Sequence, residues 1–169
     1  MGPRALGALL ALVAALALTG PAVAAARLPA EGVLVPGQSL GGIRVGMSKA
    51  AVRSTWGRDF GRCRSCGLET WYYTYRGFQP QGAAVAFERG RVQLVYTLWQ
   101  PPGWRTSRGL ALGAVEADVT GTVRNPARRE CDGYVALVQR GRSTDSIYYL
   151  VDGGLWGFGL TRSGFPPCV

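Results

Sequence analysis

The four cysteines are the residues whose spacing points most directly to chemistry. Cys63 and Cys66 have the C-x-x-C spacing of redox motifs, and flanking arginines would lower the pKa of a thiol there. In a thioredoxin-like enzyme the motif follows a strand and begins a helix, whereas here a strand-like run follows it. That order favours a structural disulfide in a loop. Of the three possible pairings, we favour Cys63–Cys66 and Cys131–Cys168. A zinc site of four cysteines would require two C-x-x-C pairs, and this chain has one.

Few other residues have the types and spacing of a catalytic set. The sequence contains no histidine, which excludes a Ser-His-Asp triad, a Cys-His dyad and a histidine-containing zinc site. The acid pairs Glu116/Asp118 and Glu130/Asp132 resemble glycosidase carboxylates in type only. Those carboxylates lie about 5 to 9 Å apart across a cleft, which neighbours in a sequence rarely achieve. We therefore predict no catalytic residues, no metal site and no cofactor, so that the protein is not an enzyme.

Aromatic residues are concentrated in two strand-like runs and one loop. Because alternate side chains of a strand share a face, each run offers a candidate binding face. In the second run this alternation places Leu155 on the face opposite to that of Phe158. The candidate sheet residues are Trp71, Tyr73, Tyr75, Trp156 and Phe158, and the candidate loop residues are Trp99 and Trp104. Tyrosine and tryptophan dominate binding hot spots, so an exposed set would form a contact surface. The alternative is that one set forms the core and the loop tryptophans fill a seam.

Residues 1–26 have the three-part pattern of a secretory signal peptide. Arg4 precedes an apolar run from Ala5 to Leu18, which a Gly-Pro break and small-residue cleavage sites follow. The alternative, an uncleaved membrane anchor, would need about 20 apolar residues. Cleavage leaves 18 basic against 10 acidic residues, a net charge of +8, which favours peripheral association with anionic surfaces. We expect a secreted or periplasmic protein with disulfides, and a partner that is a protein or a cell-envelope component and not a nucleic acid.

An internal repeat organises the remainder of the chain. Gly42–Val52 and Gly109–Val119 share the pattern Gly-aliphatic-x-Val/Leu-Gly-x-x-x-Ala-x-Val at an offset of 67 residues. A short helical segment and three or four strand-like runs follow in each half, and Ser48 can cap the first helix. We predict an α+β fold of two tandem units, each a short helical segment followed by a three- to four-stranded antiparallel sheet. The units span residues 27–100 and 101–169 and pack as one domain.

Two short motifs in the first half resemble a known fold group. The stretch Ile43-Arg44-Val45-Gly46-Met47-Ser48-Lys49-Ala50-Ala51-Val52-Arg53 is close to x-x-G-M-S/T-x-x-x-V, and Phe87-Glu88-Arg89-Gly90-Arg91-Val92 fits F-x-x-G-x-V. Both resemble the β-lactamase-inhibitory-protein-like group, which includes outer-membrane assembly lipoproteins of the SmpA/OmlA type. The resemblance implies an exported binding protein without a catalytic site, because the inhibitory members grip a partner protein with the concave sheet. The assembly lipoproteins carry one unit and a lipidated cysteine, whereas this chain has two units and no cysteine near the cleavage site.

These observations give one hypothesis and two alternatives. The hypothesis is an exported, non-catalytic binding protein that contacts a protein or the cell envelope through an aromatic-rich sheet face. The first alternative is an exported thiol–disulfide redox protein that uses Cys63 and Cys66, and the second is a cell-wall glycan binder. A redox pair would be reduced readily, a glycan binder would be retained on peptidoglycan in a salt-dependent manner, and the binding protein would recover a protein partner.

Overall fold

The computed structural model describes residues 28–29, 31–63, 65–73, 82–98 and 103–168. The predicted signal peptide at residues 1–26 and the candidate residues Tyr75 and Trp99 lie outside these ranges. Within them the chain forms eleven strands and two short helices. In chain order the elements are β1 (Glu31–Val35), β2 (Ser39–Leu40), α1 (Lys49–Trp56), β3 (Gly61–Cys63), β4 (Glu69–Tyr73), β5 (Gly82–Glu88), β6 (Arg91–Leu98), β7 (Gly103–Thr106), α2 (Glu116–Thr122), β8 (Ala127–Cys131), β9 (Tyr134–Gln139), β10 (Thr144–Val151) and β11 (Gly154–Arg162).

The strands form one large sheet and one small sheet. The large sheet has eight antiparallel strands in the order β3-β4-β5-β6-β11-β10-β9-β8. The small sheet has the order β2-β1-β7, in which β1 and β7 are parallel. The parallel pair joins segments about seventy residues apart in the sequence, with Gly32 opposite Trp104. The first strands of the described chain are therefore held by a segment from its middle.

The prediction of an α+β fold made of two tandem helix-plus-sheet units is wrong. The described chain is mostly β, and strands β3–β6 of the first half and β8–β11 of the second belong to one continuous sheet. The halves meet where β6 pairs with β11, with Leu160 opposite Val95. The physical reason lies in the edges of the sheets. In two separate four-stranded sheets, β6 and β11 would be edge strands with unpaired backbone groups, and such an edge pairs readily with another strand.

Each helix begins at a turn that is bonded to the hairpin of its own half. The Gly46 N–H donates to the Val92 carbonyl at 2.8 Å, and the Gly113 N–H donates to the Leu155 carbonyl at 2.8 Å. Gly46 and Gly113 have φ angles of +86° and +88°, a conformation that glycine adopts without the penalty of a side chain. These shared turns explain why the repeated sequence pattern keeps a glycine at both positions.

The two helices differ at the N-cap, the residue that precedes each helix, as the sequence predicts. Ser48 caps α1, and its hydroxyl accepts a hydrogen bond from the Ala51 N–H at 3.2 Å. Val115 stands at the same position of α2 and provides no side-chain hydrogen bond. A capping side chain contributes about 1 kcal/mol to helix stability, so α2 depends more on packing, which its buried Val119 provides.

Both helices pack on one face of the large sheet, which we call the helix face. Val52 and Trp56 of α1 and Val119 of α2 belong to the same buried cluster as the aliphatic and aromatic residues of that face. The Trp56 ring meets the ring of Trp104 edge to face, with centroids 5.8 Å apart. The main core of the protein thus lies between this face, the helices and the small sheet.

Candidate functional site: the tyrosine face of the sheet

The structure places most of the predicted aromatic contact residues in the core of the helix face. Trp71, Tyr73 and Phe158 are 1%, 1% and 0% exposed and belong to its cluster. Trp104, the described candidate of the loop, is 0% exposed, and its indole N–H donates to the Pro29 carbonyl at 3.1 Å. These four residues are core, which is the alternative that the sequence left open, and they do not form a contact surface.

Trp156 departs from the expected alternation because the strand pairing is irregular beside it. The register between β10 and β11 shifts so that Leu150 faces Leu155 while Tyr149 faces Gly157. The shift is a β-bulge, which inserts one residue and turns the neighbouring side chains. Leu155 and Phe158, predicted to lie on opposite faces, therefore share the helix face. Trp156 is the inserted residue, and it is half-buried.

Four tyrosines gather on the opposite face of the large sheet, and we call this set the tyrosine face. Its members, in chain order, are Tyr72 on β4, Tyr96 on β6, Tyr134 on β9 and Tyr149 on β10. Alternation along the strands separates them from the helix face, since Tyr72 lies between Trp71 and Tyr73. The sequence analysis did not select these residues. The signal that could have found them was the same alternation, applied to the opposite face of each strand instead of to the more aromatic face.

Small residues make room for these rings. Ala84 lies between Tyr72 and Tyr96 across the strands, and Gly159 lies beside Tyr96. A Cβ atom at Gly159 would stand 2.9 Å from the Tyr149 hydroxyl oxygen, closer than such atoms approach each other. The Tyr149 ring therefore lies across a strand position that only glycine can occupy without a shift.

The rings contact each other edge to face, and their hydroxyl groups stay protonated. The ring centroids of Tyr149 and Tyr134 are 5.8 Å apart, and those of Tyr149 and Tyr96 are 6.5 Å apart. Burial raises the pKa of Tyr149 well above its usual value, and the neighbouring Tyr134 and Tyr96 raise it further. Burial also raises the pKa of Tyr96, and Tyr72 and Tyr134 add to the effect. Both hydroxyls are consequently neutral donors, which suits recognition and does not suit proton abstraction.

One hydroxyl of the tyrosine face is buried without satisfaction. Among the described residues no acceptor or donor lies within hydrogen-bond reach of the Tyr149 hydroxyl, although the residue is only 1% exposed. Leaving such a buried group unpaired costs about 1–3 kcal/mol. Tyr72 and Tyr134, on either side of it, are only half-buried. The face thus has a polar, unsatisfied centre and two accessible margins.

The two disulfides stand at the two edges of the large sheet and border the tyrosine face. The pairing Cys63–Cys66 and Cys131–Cys168 is as predicted. Cys63 ends the edge strand β3, and Cys131 ends the opposite edge strand β8. The Cys66 sulfur lies 3.8 Å from the Tyr72 hydroxyl, and Cys131 packs against the buried residues of the same face. The cross-links therefore hold the edge strands β3 and β8, which pair with the strands that carry Tyr72 and Tyr134.

The acidic residues that the sequence offered as carboxylate pairs lie at the surface, and several form ion pairs. Arg128 bridges Glu116 and Glu130, and its distance to Glu130 is 2.9 Å. Asp118 and Asp132 are exposed. Lys49 forms an ion pair with Glu69. Within the described ranges there is no group of three or more cysteine, aspartate or glutamate side chains that could hold a metal ion.

No family model, no curated protein and no solved structure matches the chain. The residues that the structure describes contain no helix long and apolar enough to cross a membrane.

Proposed function

We propose that this is an exported, non-catalytic binding protein that holds a segment of a partner protein against the tyrosine face. The observation that carries the proposal is the pair of half-buried rings, Tyr72 and Tyr134, at the margins of a face whose central Tyr149 hydroxyl is a buried donor without an acceptor in the described chain. Buried polar groups are nearly always hydrogen-bonded, so an exception calls for a partner group. An extended segment reaches this hydroxyl when the side chains that pack against the face, Leu68 and Phe165 among them, move aside, and its backbone carbonyl is then an acceptor of the required kind.

The composition and position of the tyrosine face support a protein partner. Tyrosine contributes a large rigid ring and a hydroxyl at little entropic cost, which is why it is frequent at interface hot spots. Tyr72 and Tyr134 are half-buried and would be met first, while Tyr96 and Tyr149 would form the floor. The proposal agrees with what the resemblance to the β-lactamase-inhibitory-protein-like group implies, and disulfides and a signal-peptide pattern support export.

The test is capture of a partner by the mature, oxidised protein from envelope and secreted fractions. The margin variant Tyr72→Ala/Tyr134→Ala should lose the captured protein, because it removes both accessible rings. The variant Tyr149→Phe should weaken capture about tenfold, since it removes only the hydroxyl.

The control is Tyr148→Phe on the same strand. Tyr148 lies on the helix face, and its hydroxyl is 3.4 Å from the Gln139 side-chain oxygen. This variant should capture the partner as the unaltered protein does. Equal capture by all four proteins would contradict the proposal.

The same fractions separate the two alternatives. Retention on peptidoglycan that falls with salt, without a captured protein, would favour a glycan binder. Reduction of insulin disulfides would favour a redox protein. The geometry favours the structural role for Cys63–Cys66, because the pair closes the loop between strands β3 and β4. A redox-active pair of this spacing is activated at a helix N-terminus.

A further inference from the structure

An open groove at one end of the large sheet is lined by three arginines. Arg89 and Arg91 come from the hairpin between β5 and β6, and Arg162 comes from the end of β11. Gln93, Ser143 and Thr144 complete the polar part of the lining, and Glu88 is its acidic member. The groove shares no residue with the tyrosine face.

The three guanidinium groups are unneutralised. None of them forms an ion pair with any residue in the described ranges, and the one bond of Arg91 is a 3.4 Å contact with the Gly46 carbonyl. With Glu88 counted, the lining carries a charge of +2. The groove at the other hairpin has the opposite character. Glu116, Glu130 and Asp152 line it, together with one arginine that two of these acids already pair.

Gln93 contributes a polar side chain to the groove. The residue is 8% exposed. It is also the residue inserted at a β-bulge, because Phe87 pairs with Val92 while Ala86 pairs with Leu94. Bulges re-aim a side chain and are frequent beside functional sites. An amide in the lining of a cationic groove offers a donor to an anion.

The hairpin turn keeps an arginine where the backbone disfavours one. Arg89 has a φ of +49°, in the left-handed region that asparagine, aspartate and glycine adopt most readily. The second hairpin has Asp152 at the same place, with a φ of +48°, and each is followed by a glycine. Such two-residue turns prefer Asn-Gly or Asp-Gly. A non-glycine residue in a sparsely populated conformation is a reason to look for a function, and the guanidinium at the groove supplies one.

We propose that this groove binds a phosphate monoester group. Guanidinium groups match the oxygens of a phosphate in pairs and cannot be deprotonated near neutral pH. A lining charge of +2 neutralises a phosphate monoester dianion, and the Gln93 amide and the Thr144 hydroxyl can donate to its remaining oxygens. The phosphate is that of a lipid headgroup at the envelope or that of a small soluble molecule, and the experiment distinguishes these sources.

The test measures binding of two probes to the mature, oxidised protein. Inorganic phosphate is titrated while backbone amide resonances are followed, and vesicles of phosphatidic acid in phosphatidylcholine are tested by co-sedimentation against phosphatidylcholine alone. The variant Arg89→Asn/Arg162→Gln should bind at least about tenfold more weakly. Its hairpin should fold well, because asparagine suits the turn. Gln93→Met, of similar size, should also weaken binding.

The matched control is Arg124→Gln, which removes an exposed arginine that does not line the groove. It should bind within about twofold of the unaltered protein, since exposed charges far from a site are largely screened. Saturable binding of inorganic phosphate would identify a small soluble ligand, and binding of the vesicles alone would identify a headgroup. The proposal is overturned if neither probe binds, or if Arg124→Gln weakens binding as much as the groove variant does.

Discussion

Asp145 is the one acidic residue that the described structure buries, and its surroundings are built to hold the charged form. Its carboxylate accepts hydrogen bonds from the Gly141 N–H at 3.0 Å, the Ser163 hydroxyl at 2.7 Å and the Arg140 guanidinium at 2.6 Å. Burial acts to raise the pKa of Asp145, but these donors together hold it below its usual value. A lowered pKa means that folding stabilises the ionised form. The residue thus ties the loop before β10 to the turn after β11.

We expect Asp145→Asn to reduce the free energy of unfolding by about 1.5–3 kcal/mol at pH 7, because charged hydrogen bonds are lost. The contribution of the native carboxylate is fully present above the unfolded-state pKa of about 4. It is lost as the pH falls through the lower folded-state pKa. Urea unfolding at pH 7 and below pH 3 measures the difference between variant and native protein. A difference that is the same at both values would contradict this account.

Gly159 tests the packing of the tyrosine face at a single residue. We expect Gly159→Ala to destabilise the protein by about 1–3 kcal/mol, because the added Cβ displaces the Tyr149 ring. The same variant should lose the captured partner. Gly121→Ala is the control: a Cβ there meets nothing within 4 Å, and alanine favours the helix α2. Thermal unfolding of both variants gives the comparison, and equal stability of Gly159→Ala and the native protein would argue against the packing described.

The two disulfides stabilise elements of different reach. Cys131–Cys168 joins residues 37 apart in the sequence, whereas Cys63–Cys66 joins residues 3 apart. In the chain-entropy model the longer loop contributes about 4 kcal/mol and the shorter one about 2 kcal/mol. We expect the variant Cys131→Ser/Cys168→Ser to unfold at a lower denaturant concentration than the variant Cys63→Ser/Cys66→Ser. The reverse order would mean that anchoring the edge strand β3 matters more than the entropy of the loop.

The elements that the sequence predicted well are those with strong local signals. Both helices lie where the repeated pattern places them, and the predicted runs of β-forming residues at Ala83–Glu88, Val92–Leu98 and Tyr134–Gln139 nearly coincide with β5, β6 and β9. The missed strands lack such signals. The edge strand β8 is the sequence Ala-Arg-Arg-Glu-Cys with three exposed charged residues, and charges are typical of edges that must not pair further. Strands β1 and β7 pair across the sequence, which no local pattern reveals.

The aromatic site was harder to predict because the bulge at Trp156 breaks the alternation on which part of the prediction relied. Counting by twos assigns Leu155 and Phe158 to opposite faces, and the inserted Trp156 restores them to one. Alternation also fails to show which face the helices cover. Trp71 and Tyr73 attract attention as a binding surface, yet large aromatic residues are equally suited to fill a core. The four tyrosines of the other face became recognisable once the helices were placed.

At the scale of the whole molecule, the pairing of β6 with β11 makes the two halves one folding unit. The pairing of β6 with β11, which we call the seam between the halves, is short, with three paired positions from Leu94 to Tyr96. The side chains of Thr97 and Thr161 reinforce it: the Phe158 N–H donates to the Thr97 hydroxyl at 3.2 Å, and the Thr161 hydroxyl donates to the Gln93 carbonyl at 3.4 Å. Because Thr97 is 0% exposed, its hydroxyl has no water to replace that bond if the seam opens only partly.

We therefore expect Thr97→Val to destabilise both halves together by about 1–3 kcal/mol, because it leaves the buried Phe158 N–H unpaired. Amide hydrogen exchange makes this measurable, since β5 reports on the first half and β9 on the second. In a single cooperative sheet the most protected amides of both strands lose the same amount of protection, for they open only in global unfolding. The control is Thr120→Val, an exposed position in α2 whose hydroxyl donates to carbonyl groups of its own helix. Loss of protection in β5 alone would mean that the halves unfold independently.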